Sequence, residues 1–271
     1  MTTNSDADRP RIHVLSTGGP TALIELGGLR FVTDPTFDEP QEYRSPSGAT
    51  LTKTEPAALG PGGLGRVDAV LLSHDQHPDN LDRSGRAFLS EVPLVLTTVS
   101  GAGRLSAQNA AVPAAGLAPW DRRTLARPDG GELTVTAVPA LHGPEGFEER
   151  TGEVTGFVLT AADLPSVYVS GDNASLDRVR RIAERLGPVD TAVLFAGAAR
   201  LPEVYGEALL TLDGAQAAEA AHILGSRHTV VLHCDSWAHF SEDFAAVEAA
   251  FDEAGLGVSL SRTRHGRRYE V

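Results

Sequence analysis

Four apolar runs that lead into polar, chemically capable turns constrain this chain more than any other feature. They are VDAVLLSH (67–74), PSVYVSGD (165–172), VDTAVLFAG (189–197) and HTVVLHCD (228–235). Continuous Val- and Leu-rich runs of this length read as strands buried on both faces. Three helical patterns follow, over 175–186, 214–224 and 242–254, with Asp213 and Ser241 as candidate N-caps for the last two. Upstream, residues 11–16, 21–26 and 29–33 read as strands, with the Gly27-Gly28 pair as a hairpin turn. Residues 132–142 and 154–161 read as strands of a hairpin-like region. Residues 38–65, rich in Pro, Gly, Ser and Thr, read as a long surface loop able to face a substrate. Strands in hairpins together with strands that alternate with helices predict an α/β fold, a sheet covered by helices. Roughly a dozen strands strain one twisted open sheet, so two are expected.

The chain of 271 residues is long enough to bury a substantial core, and no convincing linker divides it. Residues 1–10 are expected to form a disordered tail and 11–271 a single domain. Lys and Arg number 23 against 36 Asp and Glu, a net charge of −13. Such a surface repels nucleic-acid phosphate, and no basic run offsets it, so nucleic acid is not an expected partner. No stretch approaches the ~18–20 apolar residues of a membrane span. The N-terminus carries no apolar signal-peptide core. Cys234 is the only cysteine, which rules out an internal disulfide and fits a cytoplasmic location. The oligomeric state is not readable.

His74, His142 and His233 each stand at the C-terminal end of an expected strand, as does Asp172. Strand carboxyl ends and the loops after them are the usual place for a site in such sheets. The densest cluster, residues 73–82 (SHDQHPDNLD), packs His74, His77 and several carboxylates into one turn. Imidazole nitrogen and carboxylate oxygen suit zinc and similar divalent ions. Each piece also has a plainer reading: Asp79 or Asp82 as a helix cap, His142 or His233 as a hydrogen-bonded structural residue, Asp172 as a turn residue. The shared strand-then-ligand form favours a metal site.

In that order and spacing the residues resemble the metallo-β-lactamase superfamily. Its fold is an αββα sandwich of two mixed sheets flanked by helices. Its ligands are a His-x-His-x-Asp-His turn, a lone His, a bridging Asp and a final His. The corresponding positions here are His74 to Asp79, His142, Asp172 and His233. The opening TGGPTALIE (17–25) and FVTDP (31–35) are similar to the lactonase and phosphodiesterase-like branch. The resemblance implies one ion held by His74, His77 and His142, and a second by Asp79, Asp172 and His233. The first motif, His-Asp-Gln-His-Pro-Asp-Asn, is one residue longer than the family's turn, and His77 takes the second His role in preference to Gln76. Asn80 stands where a second-metal His is expected, and Gly19 where that branch has a His. The second site is thus one imidazole short, a gap that the Asn80 amide oxygen or a water fills at lower affinity, so one or two Zn2+ ions per chain are implied.

Bound Zn2+ lowers the pKa of its water from about 15.7 to about 7. The implied function is a metal-dependent hydrolase that cleaves a small-molecule ester or lactone with zinc-activated hydroxide. Asp79 is the candidate to orient the hydroxide and carry a proton, and His239 to donate a proton to the leaving group or substrate. Asn80 and Trp237 are candidates to face the substrate, and Asp34 to support the ligand turn through hydrogen bonds. Two other outcomes remain open: a phosphodiesterase of the same fold, and a metal-binding module without turnover. A serine or cysteine hydrolase is disfavoured, because there is no Gly-x-Ser-x-Gly elbow and Cys234 points away from its neighbour His233.

Overall fold

The structure, a computed structural model, describes residues 11–44 and 48–271. The tail expected at 1–10 lies outside the described residues. The chain opens with a meander of β1 (His13–Gly18), β2 (Thr21–Leu26) and β3 (Leu29–Thr33), turned at Gly27 and Gly28, both at positive φ. A small hairpin, β4 (Glu42–Arg44) with β5 (Thr50–Thr52), precedes β6 (Ala69–Leu71), α1 (Arg83–Phe88), β7 (Val95–Thr97), α2 (Val99–Gln108) and β8 (Ala114–Gly116). The second half runs β9 (Arg122–Ala126), β10 (Glu132–Pro139), α3 (Glu148–Thr151), β11 (Thr155–Ala161), β12 (Leu164–Val169) and α4 (Leu176–Leu186). It continues with β13 (Thr191–Phe195), α5 (Pro202–Tyr205), α6 (Gly214–Leu224), β14 (His228–Leu232), α7 (Phe244–Glu253) and β15 (Arg268–Glu270).

The strands form two mixed sheets. One has the order β15-β1-β2-β3-β6-β7-β8 and the other β14-β13-β12-β11-β10-β9. Pairing is parallel from β3 through β8 and from β12 through β14, and antiparallel elsewhere. Side chains alternate across each strand, which sorts the apolar residues into layers. Ile24, Phe31 and Leu71 face Phe157, Val169 and Phe195 between the sheets. Val32, Val70 and Leu72 point outward onto Phe88, Leu89 and Leu105 of the α1–α2 layer. Tyr168, Ala192 and Leu194 point outward onto Val179, Ala217 and Phe251 of α4, α6 and α7. The architecture is therefore α/β/β/α, as expected. Burial of each large apolar side chain favours it by roughly 1.5–3 kcal/mol.

Two local expectations are corrected. Residues 38–65 are not simply a loop: β4 and β5 pair there, with Tyr43 and Leu51 buried. Three-residue strands are too short to show a period. This hairpin is anchored from afar, by Thr54 N–H donating to Ser236 O and Ala238 N–H to Thr52 O. The N-cap of α7 is Asp243, whose carboxylate accepts from Ala246 N at 3.0 Å. Ser241 Oγ instead donates to Ala198 O at 2.6 Å. Asp213 caps α6 with a reciprocal bond from Gln216, as its sequence position suggests.

Candidate metal centre

The ligand-bearing turns are stitched to one another by backbone hydrogen bonds. Thr155 N–H donates to Ser73 O, Ala174 N–H to Leu141 O, and His233 N–H to Gly19 O. The turn after β12 needs Gly171: its φ is +57°, and a Cβ there would sit 2.6 Å from Ser73 Cβ. His233 itself adopts a left-handed conformation at φ +59°, unusual for a residue with a Cβ. The result is two buried trios of donor atoms, His74 with His77 and His142, and Asp79 with Asp172 and His233, each within 4.8 Å.

In the first trio, His74 Nε2 lies 2.9 Å and His142 Nε2 3.3 Å from His77 Nδ1. The far side of each ring sets its tautomer. His142 Nδ1 is 2.7 Å from Leu210 O, which can only accept, so Nδ1 carries the proton. Ser73 Oγ donates to Asp34 Oδ2 at 2.6 Å, leaving its lone pairs to accept from His74 Nδ1 at 3.0 Å. Both Nε2 atoms therefore present lone pairs to His77 Nδ1, which has at most one proton to give. At least one of the two contacts then sets lone pair against lone pair. A cation resolves that conflict, so these residues fit a metal ion. Burial, then the neighbouring imidazoles, hold His74 well below the ordinary histidine range and His77 down to about 4. Both rings are thus neutral at physiological pH, the form that coordinates.

The second trio is anionic. His233 Nε2 stands 3.4 Å from Asp172 Oδ1 and 3.5 Å from Asp79 Oδ2. Among the described residues, neither ring nitrogen of His233 and not Asp79 Oδ1 makes a hydrogen bond, though all are buried. Orphaned buried polar atoms are costly, and a bound cation would satisfy them. Burial opposes charge on His233, but Asp172 and then Asp79 outweigh it and raise the ring to about 10. Burial also opposes ionisation of the two carboxylates, yet His233 holds both well below the usual carboxylate range. A proton on His233 thus neutralises carboxylates where a metal ion would do so. Asp172 lies between the trios, its Oδ2 3.8 Å from His142 Nε2 and its Oδ1 toward His233.

Asp34 lies beneath both. It accepts from Ser73 N and Oγ, each at 2.6 Å, and from Asn80 Nδ2 at 3.1 Å. Burial pushes its carboxyl up to about 7. Asn80 is fully buried and also donates to Asp172 Oδ1 at 3.0 Å. The expectation that it faces substrate is therefore corrected: its amide braces two carboxylates. Trp237 is corrected likewise. Its ring is buried under the β4–β5 hairpin against Tyr43 at 5.5 Å, with Lys53 Nζ 5.7 Å away. Trp237 also accounts for Gly19, because a Cβ there would come within 3.1 Å of its Nε1. His239 does reach the centre, with Nε2 3.0 Å from Asp79 Oδ2. Gln76 stays aside, packed against Gly152.

Beside the trios is a small cavity of about 10 Å³, room for roughly one water. His77, Asp79, His142 and His239 form one side, and Leu51, Ala199, Leu201, Tyr205 and Leu210 the other. Leu51 belongs to the 38–65 segment expected to face a substrate, whereas sequence reasoning missed the part of the wall around α5, Ala199, Leu201, Tyr205 and Leu210.

The fold matches known proteins. The family model described as a beta-lactamase superfamily domain covers residues 29–234. The chain belongs to the metallo-β-lactamase superfamily. An N-acyl-phosphatidylethanolamine-hydrolyzing phospholipase D 1 of Caenorhabditis elegans is 26% identical over 67% of this chain and 52% of its own length. A UPF0173 metal-dependent hydrolase of Pyrococcus horikoshii is 25% identical over 71% of this chain and 78% of its own. The crystal structure of an isothiocyanate hydrolase from Delia radicum gut bacteria superposes with a TM-score of 0.78 at 20% identity, covering 95% and 98% of the two chains. The chain spans about half the length of the first curated relatives it matches. Among the described residues, no helix is long and apolar enough to cross a membrane.

Proposed function

We propose that this protein is a metal-dependent hydrolase of small, uncharged substrates, an ester or lactone in the first instance. One observation carries the substrate reading: the wall facing the two trios is apolar, and among the described residues no Lys or Arg lines the cavity. A phosphodiester's negative charge would have to be met by the bound ions alone, because no Lys or Arg side chain lines the cavity to share it among the described residues. Lys53, the nearest buried base to the hairpin, is already paired with Asp82 at 3.1 Å.

His74, His77 and His142 would hold one ion, and Asp79, Asp172 and His233 a second, with Zn2+ the first candidate and iron also suited to such ligands. When bound, such an ion supplies a nucleophile at neutral pH and polarises the bond under attack. The chain's own groups do the rest. Asp34 and Ser73 fix the His74 tautomer, and Leu210 O fixes that of His142. Asp79, ionised and on the cavity wall, is placed to orient a water and take up its proton. Leu51, Leu201, Tyr205 and Leu210 exclude bulk water and pack against the apolar part of the substrate.

The test is a panel assay on the zinc-loaded full chain, with a γ-lactone, a small aryl ester, an alkyl isothiocyanate and a bis-aryl phosphodiester. Turnover is expected on an uncharged substrate and is expected to vanish on chelation and return with Zn2+. Preference for the phosphodiester would overturn the substrate reading. Metal binding with no turnover on any substrate would favour a binding module.

A further inference from the structure

The second trio has a single imidazole, and the residue that would supply another in the family's turn is Asn80. Its Nδ2 donates to Asp34 Oδ2 and to Asp172 Oδ1, so the amide turns donor hydrogens toward the ligand oxygen, while its Oδ1 is buried without a hydrogen-bond partner among the described residues. A donor of that kind repels a cation. The vacancy in the ligand set has another occupant nearby. His239 comes six residues after His233, in a segment turned by Ser236 at φ +66° and pinned by Arg200 N–H donating to His239 O.

Three details point the same way. His239 Nε2 lies 3.0 Å from Asp79 Oδ2, the oxygen that His233 Nε2 approaches at 3.5 Å. The two imidazoles flank one carboxylate oxygen, and Phe240 holds both rings, with centroids 4.6 Å from His233 and 4.5 Å from His239. The His239 side chain is only 7% exposed, and its Nδ1 is buried without a hydrogen-bond partner among the described residues. With so little of it exposed, the ring is committed to the centre and not to solvent.

We infer that His239 is the second imidazole of the Asp79–Asp172–His233 cation site, in place of the family's histidine at the Asn80 position. This rests on the proposal above that the trios hold cations. It replaces the proton-donor role expected from sequence, since a coordinating Nε2 has no proton to give. The chain has thus moved one ligand from the turn after β6 to the turn after β14. The freed position, Asn80, ties Asp34 to Asp172.

The experiment is a zinc titration of the full chain against a chromophoric chelator, with metal content measured after dialysis, on wild type, His239→Ala, His239→Gln and Asn80→Ala. Wild type is expected to bind two ions. Both His239 variants are expected to keep one ion at wild-type affinity and to weaken the other roughly a hundredfold or more. Asn80→Ala is expected to retain two ions, the second somewhat weaker. Cobalt-loaded His239→Gln should show a changed visible spectrum at the second equivalent only, a readout that a merely structural role would not move. If His239→Ala does not fold, His239→Gln, close in size, decides. Two ions of unchanged affinity in the folded His239 variants overturn the inference, as does loss of the second ion in Asn80→Ala but not in His239→Gln. A wild type that binds one ion also overturns it. A wild type that binds none overturns the proposed function itself, so the two failures are distinguishable.

Discussion

Ser73→Ala isolates how the structure sets up the first ion's ligands without touching any of them. The hydroxyl does two jobs: it donates to Asp34 Oδ2 at 2.6 Å and accepts from His74 Nδ1 at 3.0 Å. Its loss leaves Asp34 with two of three hydrogen bonds, from Ser73 N and Asn80 Nδ2. One hydrogen bond to a charged group is worth about 1.5–3 kcal/mol. The His74 ring also loses the partner that fixes its tautomer. Removing such a partner of a ligating histidine costs about 10–100-fold in metal affinity. That is about 1.4–2.7 kcal/mol. The affinity of the tighter zinc site is therefore expected to fall by that factor, measured by chelator competition. The pH should be about 8, one unit above the Asp34 value of about 7, so that the carboxylate is ionised. Circular dichroism and the thermal midpoint of the zinc-saturated variant check that the fold is retained. A folded variant with zinc affinity within about threefold of wild type, some 0.7 kcal/mol, would refute the tautomer argument.

Two further perturbations test the scaffold around the centre. Gly197→Ala places a Cβ 2.2 Å from His233 O and 2.8 Å from Cys234 Cα, so the strand end must shift. A loss of about 1–3 kcal/mol in stability is expected. A weaker second ion is expected with it, and a variant with wild-type midpoint and metal content contradicts the packing account. His265 Nε2 pairs with Asp235 Oδ2 at 3.0 Å, which raises its pKa above the ordinary 6.5. That contribution is fully present below the unfolded value and is lost as pH rises through the raised folded one. Both side chains are about a third exposed. The pair is thus worth at most about 1 kcal/mol. The gap in thermal midpoint between wild type and His265→Ala should be wider at about pH 6 than at about pH 9, and an equal gap at both rules out the ion pair as its source.

Much of the layered architecture was legible because burial leaves a mark that survives in one dimension. The run through β6 alternates Ala69 and Leu71 inward with Val70 and Leu72 outward, and both sides must be apolar because each has a layer against it. β4 and β5 were not legible. Three residues carry no period, and what holds them is the segment after His233, almost two hundred residues away. Asn80 and Trp237 were misplaced for a related reason. A residue type announces what it can bond to, but not which neighbour takes it up. Asp34 and Asp172 claim the Asn80 amide, and the hairpin covers the Trp237 ring.

The order and chemical nature of the donor groups were thus set within the sequence, because strands that end in ligands must deliver them to one rim of a sandwich. Which oxygen faces which nitrogen was decided only by tertiary closure. His74, Asp172 and His233 lie in the turns after separate strands, and bonds such as Thr155 N–H to Ser73 O and His233 N–H to Gly19 O bring those turns into contact. The same closure brings His239 beside Asp79 and lays the apolar wall of β5 and the α5 loop over both. Distances of a few ångströms between residues so far apart in the chain depend on the packing of every layer between them, and no local pattern records that.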